Sequence, residues 1–287
     1  MKNNDINADI AIIGGTGSDI HLENADEVKI FTPFGNSSSK ITIGDFKDKK
    51  IAYIPRHGKD HSIPPHNINF RANIWALKEL GVKFVISTSA VGSLKAELSK
   101  GTFVIVDQYI DRTKKRGDTF FEGGQVCHIG QADPYCEYMR SLFYDSGKNL
   151  EIEICNGGTY VCIEGPRFST RSESNMFRLL GGDIIGMTTY PEVVLAAEKE
   201  ICYCCIAMIT DLDVWAGNCP NCGIVAYKNE CDKCGNLIQK LSVAVSEVMK
   251  TMEENTENLK KLLEMTIPKI NTEKDCSCHH TLLNAIL

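Results

Sequence analysis

GTYVCIEGPRFSTRSES, Gly158–Ser174, and GGDIIGMTTYPEVVLAAEKEICYCCIAMITDLDVW, Gly181–Trp215, hold the reading on which the fold turns. Short β-rich apolar runs, TYVCIEG, DIIGMT and CCIAMIT, alternate with segments of helical spacing. SESNMFRLLGG reads as a helix closed by Gly181 and Gly182. Tyr190–Ile206 reads as a second helix, with Pro191 in its first turn and Glu192 near its positive end. Polar groups gather where the apolar runs end: an Arg-rich turn after TYVCIEG and two aspartates after CCIAMIT. In α/β proteins those positions carry the chemistry. If Ile206–Ile209 continues as a strand, Asp211 and Asp213 share one side of it. Two carboxylates held close resist joint ionisation, so one is expected to keep its proton near neutral pH. Taken alone, the pair also fits a solvated acidic turn.

Outward from this stretch the alternation continues. ADIAIIGG, KIAYIP, KFVISTSA and FVIVDQYI read as strands, and NFRANIWALKELGV reads as a helix stopped by Gly81. A last long helix is predicted over Val243–Met265, before Pro268. The pattern predicts a three-layer α/β fold, a central mixed and mostly parallel β-sheet flanked by helices. At 287 residues, 43% of them hydrophobic and 24% charged, the chain has ample material for a core within one domain. A net charge of -6 argues against nucleic acid as a partner. No apolar run is long enough to span a membrane, and the polar start MKNNDINADI lacks a signal-peptide core, so a cytoplasmic location is expected. Of the thirteen cysteines, Cys127, Cys136, Cys155, Cys162, Cys202, Cys204 and Cys205 lie in or beside apolar runs and read as small buried hydrophobes.

Three further elements suit an anion. IIGGTGSD, Ile12–Asp19, is a glycine-rich turn with neither dinucleotide nor P-loop spacing; its amides can converge on an anion, with the Thr16 hydroxyl as an added donor. In PRHGKDHSIPPHNINFRAN, Arg56 offers a planar fork suited to bidentate phosphate binding, and His57 a neighbouring donor. STSAVGS, Ser87–Ser93, sets hydroxyls and small residues directly after a strand. The glycine-rich turn alone reads equally as a plain tight turn, and an Arg-His pair alone reads more often as surface decoration. Together, at three strand ends, they predict an oxyanion site.

These stretches, with DQYIDRT, EGPRFSTRSES, GMTTYPEVVLA and MITDLDVW, resemble the 5'-methylthioadenosine phosphorylase branch of the purine nucleoside phosphorylase family. The likeness runs in order from Ile10 to Trp215 and resumes from Val243 to Ile270. It implies a phosphorylase-type fold and phosphorolysis of a purine nucleoside, with inorganic phosphate as co-substrate and the sugar 1-phosphate as product. It implies phosphate contacts from Thr16, Arg56, His57, Ser89, Ala90 and Thr188. Met187 would meet the ribose, Phe168 would stack on the base, and Asp211 would protonate or hydrogen-bond the purine N7. Asp213 would hold the exocyclic 6-amino group. His61, and His128 from a neighbouring subunit, would lie near the 5' end of the sugar. Val245 and Val248 would shape the pocket for a 5'-methylthio group. The family forms homotrimers and homohexamers. The alternative within it is a broader purine nucleoside phosphorylase acting on adenosine, inosine or guanosine; a phosphate-independent binding protein is the alternative outside it.

The chain departs from that family at Gly217–Ile238, GNCPNCGIVAYKNECDKCGNLI, an insertion without core periodicity. Cys219, Cys222, Cys231 and Cys234 have paired CxxC spacing, each pair followed by a glycine, as in a zinc knuckle. A structural Zn2+ is predicted there; two disulfides and a rubredoxin-like iron site are the other readings. The insertion is read either as a lid or brace near the base-reading aspartates or as a peripheral staple. Cys276 and Cys278 form a CxC before His279 and His280, read as free thiols or a redox-labile bridge, with a weak metal site also open.

Adenine presents an acceptor at N7 and a donor at its 6-amino group, whereas a 6-oxopurine presents two acceptors. TDLDVW offers two carboxyls and no amide, which favours 6-aminopurines. Leaving one buried polar group unpaired costs about 1–3 kcal/mol, or about ten- to hundredfold in rate. Asp213→Asn is therefore expected to move activity toward inosine-type substrates. An unchanged preference in kcat/KM between adenosine and inosine contradicts this account of base reading.

Overall fold

The computed structural model describes residues 7–15, 20–223, 225–226 and 228–287, with the side chain of Ala226 left aside. Its strands are β1 (Ile10–Gly14), β2 (Glu23–Val28), β3 (Ile41–Phe46), β4 (Lys49–Pro55), β5 (Phe84–Ser93), β6 (Phe103–Ile105), β7 (Gln108–Arg112), β8 (Ile154–Asn156), β9 (Thr159–Ile163), β10 (Ile184–Gly186) and β11 (Cys202–Leu212). Its helices are α1 (Phe70–Glu79), α2 (Glu137–Asn149), α3 (Arg171–Leu179), α4 (Thr189–Glu198) and α5 (Val245–Thr266). The strands form one mixed sheet, ordered β2-β3-β4-β1-β5-β10-β9-β7, with β11 branching from β5 toward β6 and β8. β5 is the hub, pairing parallel with β1 and β11 and antiparallel with β10.

Central strands alternate their side chains between two cores, as the two-residue period requires. Along β11, Tyr203, Cys205, Ala207 and Ile209 join the core built with α1 and α4. Cys202, Cys204, Ile206 and Met208 join the other, built with α2 and α5. Helices therefore cover both faces of the sheet, a mixed α/β arrangement.

Local chemistry explains the helix ends. The Asn69 side chain accepts from the Ala72 N–H at the start of α1, and Gly81 leaves the helix with φ of +81°. Thr170 and Glu173 form a reciprocal capping box on α3. The helix expected over Tyr190–Ile206 is corrected. α4 stops at Glu198, Glu200 turns the chain with φ of +53°, and the strand begins at Cys202. The whole run Cys202–Asp211 is buried, so it lacks the alternation of a half-exposed strand, and periodicity cannot separate it from a buried helix. β2, ENADEV, escapes sequence reading for the opposite reason: it is a polar, mostly exposed edge strand.

The insertion forms a small antiparallel sheet of β12 (Gly217–Asn218), β13 (Val225–Ala226) and β14 (Gln239–Lys240), apart from the main sheet. Among the described residues no helix is long and apolar enough to cross a membrane.

Candidate active site

A cavity of about 440 Å3 opens beside the carboxyl ends of β1, β4 and β11, where α/β sheets hold ligands. Arg56, His57, Ser89, Ala90, Thr188, Met187, Phe168, His61, Val245, Val248, Asp211 and Asp213 all line it. Residues separated by up to 192 positions thus meet around one space. Thr16 lies outside the described residues, although Gly15 lines the wall. His128 is exposed and lies elsewhere, its N–H donating to Ala285 O at 2.8 Å.

At the anion end, Arg56 has no exposed surface. Its Nε donates to Glu192 Oε1, and its Nη2 to Glu192 Oε2 at 3.1 Å and Ser87 Oγ at 2.6 Å. Nη1 donates to Thr88 O at 2.9 Å. The fork expected to clasp phosphate is therefore occupied by a carboxylate, and Nη1 lies beside Gly15, which also lines the cavity. Burial opposes the charge, but Glu192 outweighs it and holds the guanidinium above its ordinary pKa. Ser89 Oγ lies 3.2 Å from Thr188 Oγ1 and 2.9 Å from Tyr160 OH, a cluster of hydroxyls that can turn toward an oxyanion. His57 is pushed down to about 4, first by burial and then by Arg56, so it is neutral near pH 7. Its Nδ1 lies 2.9 Å from Ile63 O, a pure acceptor, so that nitrogen carries the proton and Nε2 is left as an acceptor. His57 thus suits the proton of a phosphate hydroxyl better than an anionic oxygen.

The carboxylate end is set by the pairing of β11 with β5. Asp211 registers with Gly92, after an irregularity between Ile209 and Asp211. A Cβ at Gly92 would stand 3.2 Å from Asp211 Oδ2 and 3.5 Å from Asp213 Cβ, so glycine makes the room both aspartates use. Asp211 is pushed up to about 6 by burial, against the Thr210 hydroxyl that donates to it at 2.8 Å; Asp213 adds a smaller upward push. Desolvation, more than the expected repulsion of a carboxylate pair, raises it. Asp213 accepts from Ser169 Oγ, with separations of 2.9 and 2.7 Å to its two oxygens. Trp215 Nε1 donates to Ser93 O at 2.8 Å and ties the turn after the aspartates back to β5. From Ser89 to Gly92 the strand advances about 10 Å, the scale of a nucleoside.

Sequence reasoning missed Glu192, Ser169, Thr210 and Tyr160 as organisers of this site. Glu192 stood out only as a helix-end acid, and its complete burial is a tertiary fact. In the insertion, the four sulfurs of Cys219, Cys222, Cys231 and Cys234 lie within 4.8 Å of one another. Gly223 and Gly235 follow the two CxxC turns with φ of +65° and +72°, the left-handed conformation that favours glycine.

A model of the Phosphorylase superfamily matches residues 9–267. The S-methyl-5'-thioadenosine phosphorylase of Hyperthermus butylicus is 47% identical, over 98% of this chain and 97% of its own length. That of Thermofilum pendens is 48% identical, over 97% and 98%. A methylthioadenosine phosphorylase from an antarctic soil metagenomic library, at 38% identity, superposes with a TM-score of 0.85 over 98% of this chain and 93% of that one. A variant of adenosine/methylthioadenosine phosphorylase from Schistosoma mansoni, solved with methylthioadenosine, gives 0.79 at 32% identity over 93% of each chain.

The raised Asp211 pKa has a signed consequence for stability. Between its ordinary value of 3.8 and the folded value of about 6, the folded state binds the extra proton. The favourable contribution is complete below 3.8 and is lost as pH rises through about 6; above that, the buried carboxylate costs roughly 3 kcal/mol. Asp211→Asn should therefore unfold at higher denaturant than the parent at pH 8, with the difference closing toward pH 4. Equal or lower stability of the variant at pH 8 would contradict this.

Proposed function

The chain belongs to the phosphorylase superfamily, and we propose that it catalyses the phosphorolysis of 5'-methylthioadenosine to adenine and 5-methylthioribose 1-phosphate. One observation carries this reading. A carboxyl with its pKa raised to about 6 shares a nucleoside-sized cavity with the hydroxyls of Ser89 and Thr188 and the edge of Arg56. The shared name of the curated relatives, S-methyl-5'-thioadenosine phosphorylase, supports it and does not favour the broader purine nucleoside activity.

In this reading phosphate lies against Gly15, Arg56, Ser89, Ala90 and Thr188, beneath the sugar, with Thr16 as a further donor. His57, neutral, takes a hydrogen bond from the phosphate hydroxyl. Met187 packs on the ribose and Phe168 on the base. The C1'–N9 bond breaks with its electron pair passing into the purine, while a phosphate oxygen forms the new bond to C1'. Asp211 delivers its proton to N7, so the base leaves neutral, and Asp213, oriented by Ser169, accepts from the 6-amino group. Charge building on the sugar is offset by the nearby anion, and charge building on the base by the acid. The thioether needs an apolar wall, which Val245, Val248 and Met249 supply, with His61 beside it.

Phe168, Val245 and Met249 are 41%, 63% and 42% exposed at the cavity rim. Cover from a neighbouring copy fits a homotrimer or homohexamer in which that copy's His128 reaches the sugar. The chain acts as one phosphorylase domain over residues 1–287, with residues 217–238 inserted. The donor set of that insertion fits a closed tetrahedral ion: four sulfurs, none shared with the substrate cavity. Cys219, Cys222, Cys231 and Cys234 would hold a structural Zn2+, whose chemistry there is cross-linking.

Incubation with methylthioadenosine should release adenine only when phosphate is present. Equal release without phosphate, or none with it, overturns the reading. Asp211→Asn should lower kcat about 10²- to 10⁴-fold, the usual contribution of a positioned acid. Cys219→Ser/Cys234→Ser should abolish zinc binding at the insertion while phosphorolysis persists. Zinc content unchanged by this substitution would remove the knuckle.

A further inference from the structure

Four other sulfurs meet away from the substrate cavity. Cys136 precedes α2, Cys202 opens β11, and Cys276 and Cys278 come from the C-terminal tail. All four Sγ atoms lie within 4.8 Å of one another; Cys136 and Cys202 are buried, Cys276 and Cys278 half-buried. Cys136 and Cys276, 140 residues apart, approach to 3.7 Å. That separation discriminates. A disulfide needs about 2.05 Å, whereas an ion with bonds of about 2.3 Å to four sulfurs spaces them about 3.8 Å apart. All four cysteines are free, so the group is not divided into two disulfides.

We propose that Cys136, Cys202, Cys276 and Cys278 form a second tetrathiolate site, which takes a zinc ion and fastens the C-terminal tail to the sheet. The surroundings suit thiolates. Cys136 is the N-cap residue of α2 and makes no side-chain capping bond, so its sulfur lies at the positive helix end, where the first amides lack helical acceptors. His279 Nε2 lies 3.4 Å from Cys202 Sγ, placed to donate to a metal-bound sulfur. The His279 ring packs edge-on against Phe84 at 5.4 Å, and its backbone N–H donates to Cys276 O at 2.8 Å. Binding exchanges four S–H protons for one divalent ion and needs no oxidant. Beyond the cluster the tail runs back to the loop that carries His128: Leu287 N donates to Val126 O at 2.9 Å and His128 N to Ala285 O at 2.8 Å. The site therefore anchors the segment that supports this loop.

Zinc content of the full chain, purified with reductant and without chelator, tests the proposal separately from the insertion. The parent should carry about two zinc ions per chain, and Cys276→Ser/Cys278→Ser about one. The insertion variant Cys219→Ser/Cys222→Ser/Cys231→Ser/Cys234→Ser should retain one ion. Cobalt loaded into that variant should give thiolate-to-cobalt charge-transfer bands and the visible spectrum of a tetrahedral site. The proposal fails if Cys276→Ser/Cys278→Ser keeps the parent's zinc content. It also fails if the folded insertion variant binds neither zinc nor cobalt, or if intact mass shows these four cysteines oxidised in disulfides under reducing purification. A parent with one zinc that survives loss of the insertion cysteines supports this site and rejects the other.

Discussion

A guanidinium with no exposed surface must be neutralised and fully hydrogen-bonded, or the fold that buries it is untenable. Arg56 meets this requirement through Glu192, and Glu192 also accepts from Ser87 Oγ at 3.1 Å and Tyr203 OH at 2.8 Å. The four residues come from the end of β4, from β5, from α4 and from β11. Removing one member of such a buried pair typically costs about 3–5 kcal/mol, because the other charge stays behind unpaired. The network thus fixes the start of α4 against the sheet. The residue before that helix is Thr188, whose hydroxyl faces Ser89, so the anion end inherits its geometry from a salt bridge it does not expose. It also inherits restraint. With its charge already balanced, Arg56 offers no bare fork, and in the proposed reading hydroxyls and backbone amides share the work.

The other end of the cavity depends on a void rather than a charge. Gly92 leaves space beside Asp211 and Asp213, and β11 has a register irregularity just before Asp211. Asp211 keeps its proton to about pH 6 mainly because water is excluded around it. In the proposed reaction, a proton held by desolvation would pass to a base that enters the same dry space, a more direct coupling to substrate than one tuned by a neighbouring carboxylate. Ser169 meanwhile orients Asp213 as an acceptor. The two aspartates are thereby given different partners, one the Thr210 hydroxyl and the other Ser169, which suits the different duties proposed for them.

Much of this was legible in the chain itself. Charged and hydroxyl residues at strand ends, RHG, TSAVGS and TDLDVW, stood out because an apolar run that stops at polar side chains advertises a sheet edge. The paired CxxC turns were legible because their spacing and glycines are local. What escaped notice was set by tertiary burial. Glu192 looks like an ordinary acid in a first helical turn. Cys202–Ile206 looks helical because a strand buried on both faces loses its alternation. Cys136 and Cys202 look like small hydrophobes, and by burial they are. Only the folding back of the tail reveals that their sulfurs face two others.

The cysteines then acquire an order that their scatter in sequence conceals. β11 begins at Cys202 and ends at Leu212, a span of about 35 Å. The tail cluster grips its first residue, the insertion cluster begins shortly after its last, and Asp211 lies near that far end. A strand with one end at a buried sulfur cluster, its middle paired on both edges and its exit tied through Trp215 to Ser93 has little freedom to slide. Slippage by one residue would turn Asp211 away from the cavity and bring Thr210 or Leu212 in its place. Neither sulfur cluster lines the substrate cavity, so any effect on the chemistry would pass through register. With metal bound as proposed, what they would hold in place is the position of a single carboxylic acid.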